Sequence, residues 1–147
     1  MQIDRFSTTL LTDDVAAVRE FHVRHFGWRV TGDAGFFVAL AHDDQAYELC
    51  VLQRDHETVP ATHRQAAQGL ILGYLVQDAA AEARRLAAEG VGHLTPVVDE
   101  VYGQRHFFVT DPAGVLIDVI QLTTPDPAWL AANWQAPVEE PTTELAG

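Results

Sequence analysis

Histidine has the widest chemistry of any side chain near neutral pH, since imidazole can move a proton or ligate a metal. The sequence holds seven, and only His106 sits in a pattern that aims it. His106 alternates with Gln104 and Phe108, so a strand there puts the three on one face. That face can meet a ligand, and a hydrogen-bonded structural histidine is the equal alternative. His22 and His25 fall on a helix at positions expected to be partly exposed. His42, His56, His63 and His93 fall in turns, links or strand starts, where solvent is the default. Cys50 reads as a small apolar residue inside its strand, with no Cys–His nucleophile arrangement around it. There is no phosphate loop, dinucleotide fingerprint or GxSxG elbow.

The elements that position these residues follow from a chain of 147 residues, 48% apolar, which is enough for one domain with a real core. No apolar run approaches membrane-spanning length, and Met1–Leu11 lacks the pattern of a signal peptide. A single cysteine precludes an internal disulfide and suits a reducing cytoplasm. The net charge is −12, and all nine basic residues are Arg. That balance repels phosphate backbones and argues against nucleic acid. It mildly favours a cationic ligand, although solubility explains it as well. The absence of Lys beside abundant Ala, Val, Asp and Arg suggests a high-GC bacterial genome.

Two segments read alike. Phe6–Leu11 is strand-like, Asp13 and Asp14 offer a helix cap, Val15–Phe26 has helical spacing, and Gly27 ends it. Leu70–Val76 is strand-like, Asp78 is the cap, an Ala-rich helix runs to Glu89, and Gly90 ends it. The caps Asp14 and Asp78 are 64 residues apart, and the glycines Gly27 and Gly90 are 63 apart. Three strand candidates follow each helix: Trp28–Thr31, Phe36–Leu40 and Tyr47–Leu52, then Val91–Val97, Arg105–Thr110 and Val115–Leu122. The first half has turns at Gly32–Gly35 and His42–Gln45, and Asp111-Pro112-Ala113-Gly114 is the last turn signal of the second. The chain thus divides into one domain over 1–124, with halves of about 3–53 and 69–122 and a polar linker over 54–68. An extension over 125–136 has enough apolar residues for a short docked helix. The acidic, Pro-rich segment 137–147 is expected to be disordered.

Strand–Asp–helix–Gly, twice, each followed by three strands, resembles the vicinal-oxygen-chelate superfamily of glyoxalase, bleomycin-resistance and extradiol-dioxygenase proteins. Phe26-Gly27-Trp28 resembles that family's helix exit. Tyr102-Gly103-Gln104-Arg105, Phe108 and the Asp111–Gly114 turn resemble its seventh strand and last hairpin, and Leu116-Ile117-Asp118-Val119 resembles its closing strand. The resemblance covers about Ile3–Leu122. It implies an α+β fold of two tandem βαβββ modules, forming a curled eight-stranded mixed sheet with helices outside. It also implies a concave cup for metal, substrate or drug, and a homodimer.

Enzymes of this family place His or Glu ligands on the first and last strands of each module. Counting seven residues back from Asp14 and Asp78 gives Ser7 and Ile71, and the closing strands offer Glu48 and Asp118. Ile cannot ligate, and neutral Ser ligates poorly. Two carboxylates alone hold a divalent ion only weakly. The expectation is therefore no cofactor, with a divalent metal possible but not favoured. Glu48 and Asp118 are expected to approach each other across the cup and to contact a cationic ligand or supply a general base. Two inherited carboxylates paired with Arg or water are the even alternative. The cup lining expected from the resemblance is Ser7, Thr9, Phe37, Glu48, Cys50, Ile71, Gly73, Tyr102, His106, Phe108 and Asp118. Phe36, Val38 and Leu40 are assigned to the helix-covered core, as is Trp28. Trp129 and Trp134 pack on the sheet or form a lid.

Three functions compete. One is a metal-free binding protein that sequesters an antibiotic or aromatic metabolite. Another is an enzyme of the same fold, a lyase, isomerase or dioxygenase, using Glu48 and Asp118 with a metal or as a base. The last is an accessory module with a filled cup. The first is favoured, with a small molecule as partner.

Overall fold

Two aspartates set where the main helices begin. In the computed structural model, which describes residues 1–42 and 47–135, Asp14 accepts from the Ala17 backbone N–H at 3.0 Å and Asp78 from that of Ala81 at 2.9 Å. Each bond satisfies one of the amides a helix start leaves open. The helices are α1 (Val15–Phe26) and α2 (Ala79–Ala88). Gly27, at φ 70°, turns the chain out of α1 in the left-handed conformation that suits glycine.

The strands are β1 (Thr8–Thr12), β2 (Trp28–Asp33), β3 (Phe37–His42) and β4 (Glu48–Gln53), then β5 (Ile71–Leu75), β6 (Val98–Glu100), β7 (Gln104–Thr110) and β8 (Leu116–Leu122). A short α3 (Pro127–Asn133) follows. Each module makes a four-stranded sheet of the same topology, β1-β4-β3-β2 and β5-β8-β7-β6. The first strand of each pairs parallel to the last, and the other pairs are antiparallel. The doubled βαβββ pattern is therefore present. Within one chain, however, it forms two separate sheets rather than one continuous eight-stranded sheet.

Period-two alternation sorts each sheet into two faces. Leu10, Val38, Leu40, Leu49 and Val51 are buried under α1, and Phe107, Val109, Ile117 and Val119 lie under α2. The modules dock through these helix-covered sides. Phe26 packs against both cores, and the Trp28 Nε1–H donates to the Tyr74 hydroxyl at 2.8 Å. Arg85 donates to the backbone carbonyl of His25 at 2.9 Å, and His25 meets Glu89 at 2.6 Å. Burial pushes the Tyr74 hydroxyl up to about 12 from 10.0. Below pH 10 both folded and unfolded states keep this proton. Between 10 and 12 the unfolded chain loses it first, so stability should fall by about 3 kcal/mol across that window. Urea melts of wild type and Tyr74→Phe check this, since the variant should lack that share of the decline.

Several expectations are corrected. His22 is fully buried rather than partly exposed, and its Nε2 meets Asp111 at 3.1 Å. Val91–Val97 is not a strand. Gly92 loosens the backbone and Pro96 lacks a donor, so apart from one bond from Leu94 N–H to the Phe108 carbonyl at 2.8 Å the ladder starts only at Val98. Phe36 precedes β3 and is exposed, with its ring stacked on His56 at 4.1 Å, so it is not core. The segment 137–147 and most of the His42–Gln45 turn lie outside the described residues. Among the described residues, no helix is long and apolar enough to cross a membrane.

Candidate functional site

The faces of the sheets turned away from the helices carry the sites expected from sequence. On the first sheet, register places Thr9, Cys50 and Ala39 in one row and Leu11, Leu52 and Phe37 in the next, with Glu48 beside Ala41. Ser7 lies just ahead of β1 and is exposed. On the second sheet the rows are Ile71, Leu116 and Thr110, then Gly73, Asp118 and Phe108, then Leu75, Ile120, His106 and Val98. The second face is rich in uncovered apolar surface. Ile71 is 55% exposed, Leu75 65% and Leu122 63%, values unusual for residues on sheet strands.

Glu48 and Asp118 do not form the pair expected of them. They belong to different sheets, and each has its own cationic or imidazole partner. Glu48 forms a salt bridge with Arg5 of the N-terminal segment. Asp118 accepts from His106 Nδ1 at 2.8 Å, with both residues buried. The other ring nitrogen of His106 faces Glu100 at 3.5 Å. His106 thus stands between two carboxylates, with Phe108 edge-on to its ring at 5.2 Å.

The wall beside this cluster is aromatic. Tyr102 lies in the turn between β6 and β7, with Trp129 of α3 at 5.7 Å from its ring. Burial first, then the charges of Glu100 and Asp118, hold the Tyr102 hydroxyl above its ordinary value. The C-terminal extension is tied to this turn by two backbone bonds, Thr123 N–H to the Gly103 carbonyl and Asp126 N–H to the Val101 carbonyl, both 2.8 Å. Asp126 then caps α3 through the Trp129 N–H at 2.7 Å. The alternation around His106 placed it on this face. Glu100 and the His106–Asp118 bond were not legible, because the bond crosses between neighbouring strands diagonally.

As a donor set, the family's ligand positions fit a divalent ion poorly. Ser7 and Ile71 offer little, and both carboxylates already bond to protein groups. The cluster around His106 does not replace them. Asp118 and Glu100 sit at opposite nitrogens of one ring, so the three do not converge on one ion. Among the described residues no three His, Cys, Asp or Glu side chains form a metal cluster.

This architecture of paired βαβββ modules defines a class, and comparison with known proteins agrees. The model of the glyoxalase/bleomycin resistance protein/dioxygenase superfamily matches residues 2–119. The chain belongs to that superfamily. Solved structures share its fold at low identity. A glyoxalase/bleomycin resistance protein/dioxygenase from Nocardioides has a TM-score of 0.69 at 17% identity, covering 84% of this chain and 85% of its own. A virulence protein from Salmonella typhimurium has 0.66 at 19%, covering 84% and 100%. A lactoylglutathione lyase from Agrobacterium tumefaciens has 0.64 at 19%, covering 82% and 94%. No curated protein matches the chain. The match to the family ends at residue 119, so α3 and Trp129 lie beyond it.

Proposed function

We propose that this protein binds a small molecule on its open sheet faces without a metal, sequestering an antibiotic or aromatic metabolite. The observation that carries this reading is the pairing of Glu48 with Arg5 and of Asp118 with His106, at the positions where relatives would hold a metal. The aromatic groups Phe108, Tyr102 and Trp129 beside buried polar anchors support it, since an apolar wall with a few fixed polar groups is what small-molecule recognition needs. The lone, half-buried Cys50 suits a reducing cytoplasm. A second copy of the chain is the cover we infer for Ile71, Leu75 and Leu122, making the working unit a homodimer. Sedimentation should give twice the chain mass, and a monomer at micromolar concentration would remove that part.

The test is metal content and metal-dependent thermal shift. Protein purified without chelator should carry no stoichiometric Ni, Zn, Fe or Mn, and none of these should stabilise it saturably. A near-stoichiometric ion whose removal lowers the melting temperature would overturn the reading. A compound that binds should be recovered chemically unchanged.

One observation favours a second reading, an enzyme. A carboxylate at Nδ1 orients an imidazole as it would for general-base work, leaving Nε2 as the nitrogen that exchanges a proton. A metal-free isomerase or cyclase would then lose about 10²-fold or more in turnover on Asp118→Asn. Retained turnover in that variant would exclude the carboxylate from the chemistry.

A further inference from the structure

A second cavity lies away from the cluster around His106. It is a cleft of about 1130 Å³ between the modules, bounded by the end of α1, the start of β2, β5 and α2. That is large enough for a drug-sized molecule. Its inner wall is aromatic and drawn from both modules. Phe26 lies 4.8 Å from the Tyr74 ring, and Trp28 stands edge-on to both Tyr74 and His42.

Besides the buried His42 Nδ1, which has no partner among the described residues, two features of the lining are unspent. The Tyr74 oxygen accepts from Trp28, but its own hydrogen has no acceptor among the described residues. A largely buried phenol normally finds one. Burial keeps this hydroxyl protonated, so it remains a donor at any physiological pH. At the rim, Arg24 is exposed and has no ion-pair partner among the described residues. Among the described residues the other charges around the cleft are engaged, Arg85 with Glu82 and Glu89, His25 with Glu89, and Glu48 with Arg5.

We propose that the cleft between the modules is a second ligand site, for a flat aromatic acid whose ring lies against Phe26, Trp28 and Tyr74. An acceptor oxygen of the ligand takes the Tyr74 hydrogen, and its carboxylate meets Arg24 at the rim. The site is independent of the open-face reading, because it shares no aromatic wall residue with the cluster around His106.

The tryptophans separate the two sites, since Trp28 lines the cleft and Trp129 stands by the open face. Their indole N–H signals should be followed by NMR while 2-naphthoate, 2-naphthamide and 2-naphthylmethylamine are titrated in turn. The acid should shift Trp28 saturably and leave Trp129 in place. Tyr74→Phe keeps the ring and removes the donor, and it should weaken the acid by about tenfold. Arg24→Gln should weaken it severalfold and abolish its advantage over the amide and the amine. If none of the probes moves Trp28 saturably, or if Trp129 moves instead, the site is not there. Undiminished binding in Tyr74→Phe, or an amine that binds as well as the acid, would equally overturn the assignment.

Discussion

Asp111→Ala is expected to lower the free energy of unfolding by about 3–5 kcal/mol, the range for breaking a buried, fully bonded charged group. The Asp111 side chain is wholly buried and serves two structures at once. One oxygen accepts from the backbone N–H groups of Ala113 and Val115, each at 2.9 Å, and so shapes the hairpin between β7 and β8. The other meets His22 Nε2 on α1 at 3.1 Å and so ties the second module to the helix of the first. Truncation strands the buried Val115 amide, the half-buried Ala113 amide and one buried imidazole together. Nδ1 of His22 already has no partner among the described residues, so the ring has no alternative bond to fall back on. Urea denaturation followed by fluorescence gives the number. Asp111→Asn should lose less, because its carbonyl oxygen can still hold the hairpin amides. A loss below about 1 kcal/mol for Asp111→Ala would mean that the modules do not dock through this residue.

Gly103→Val should cost about 2–3 kcal/mol and should act locally first. Gly103 sits at φ 93°, a conformation that side chains rarely adopt. A Cβ built there falls 2.9 Å from the Thr123 carbonyl oxygen and 3.0 Å from Pro125 N, both backbone atoms of the C-terminal extension. The backbone cannot give way as a flexible side chain could. The expected result is release of the extension from the turn that carries Tyr102, and with it loss of Trp129 from the wall. Faster proteolysis and hydrogen exchange across 123–135, with slower change in the sheets, would show it. Ligand affinity on the open face should fall in parallel, if Trp129 helps to form that wall.

Much of the architecture was legible because it is written in local chemistry. Asp14 and Asp78 can cap only the helix that follows them, and Gly27 can end one without steric penalty. The alternation of Val38 with Leu40 chooses a face whatever the rest of the chain does. The same alternation placed His106 and Phe108 on one face, and the resemblance of the closing strand placed Asp118 there. Where sequence reading failed, the competing interaction came from far along the chain. Helical spacing of His22 could not disclose Asp111, which lies in the other module. Phe36 carries the apolar character of a core residue, but it stacks on His56 ahead of its strand. In 91–97 the apolar content outweighed Gly92 and Pro96 in the reading, whereas backbone pairing obeyed the glycine and proline.

What the sequence alone determined is the doubled βαβββ order, the helix limits and the buried side of β3, because propensity, capping and period act over a few residues. Tertiary structure decided the partners. Sheet register brings Asp118 to His106 on the neighbouring strand, and the segment ahead of β1 brings Arg5 to Glu48, and no local pattern discloses either pair. The cleft between Trp28 and Tyr74 exists for the same reason, since its two walls are separated by 46 residues of chain and brought together only by docking.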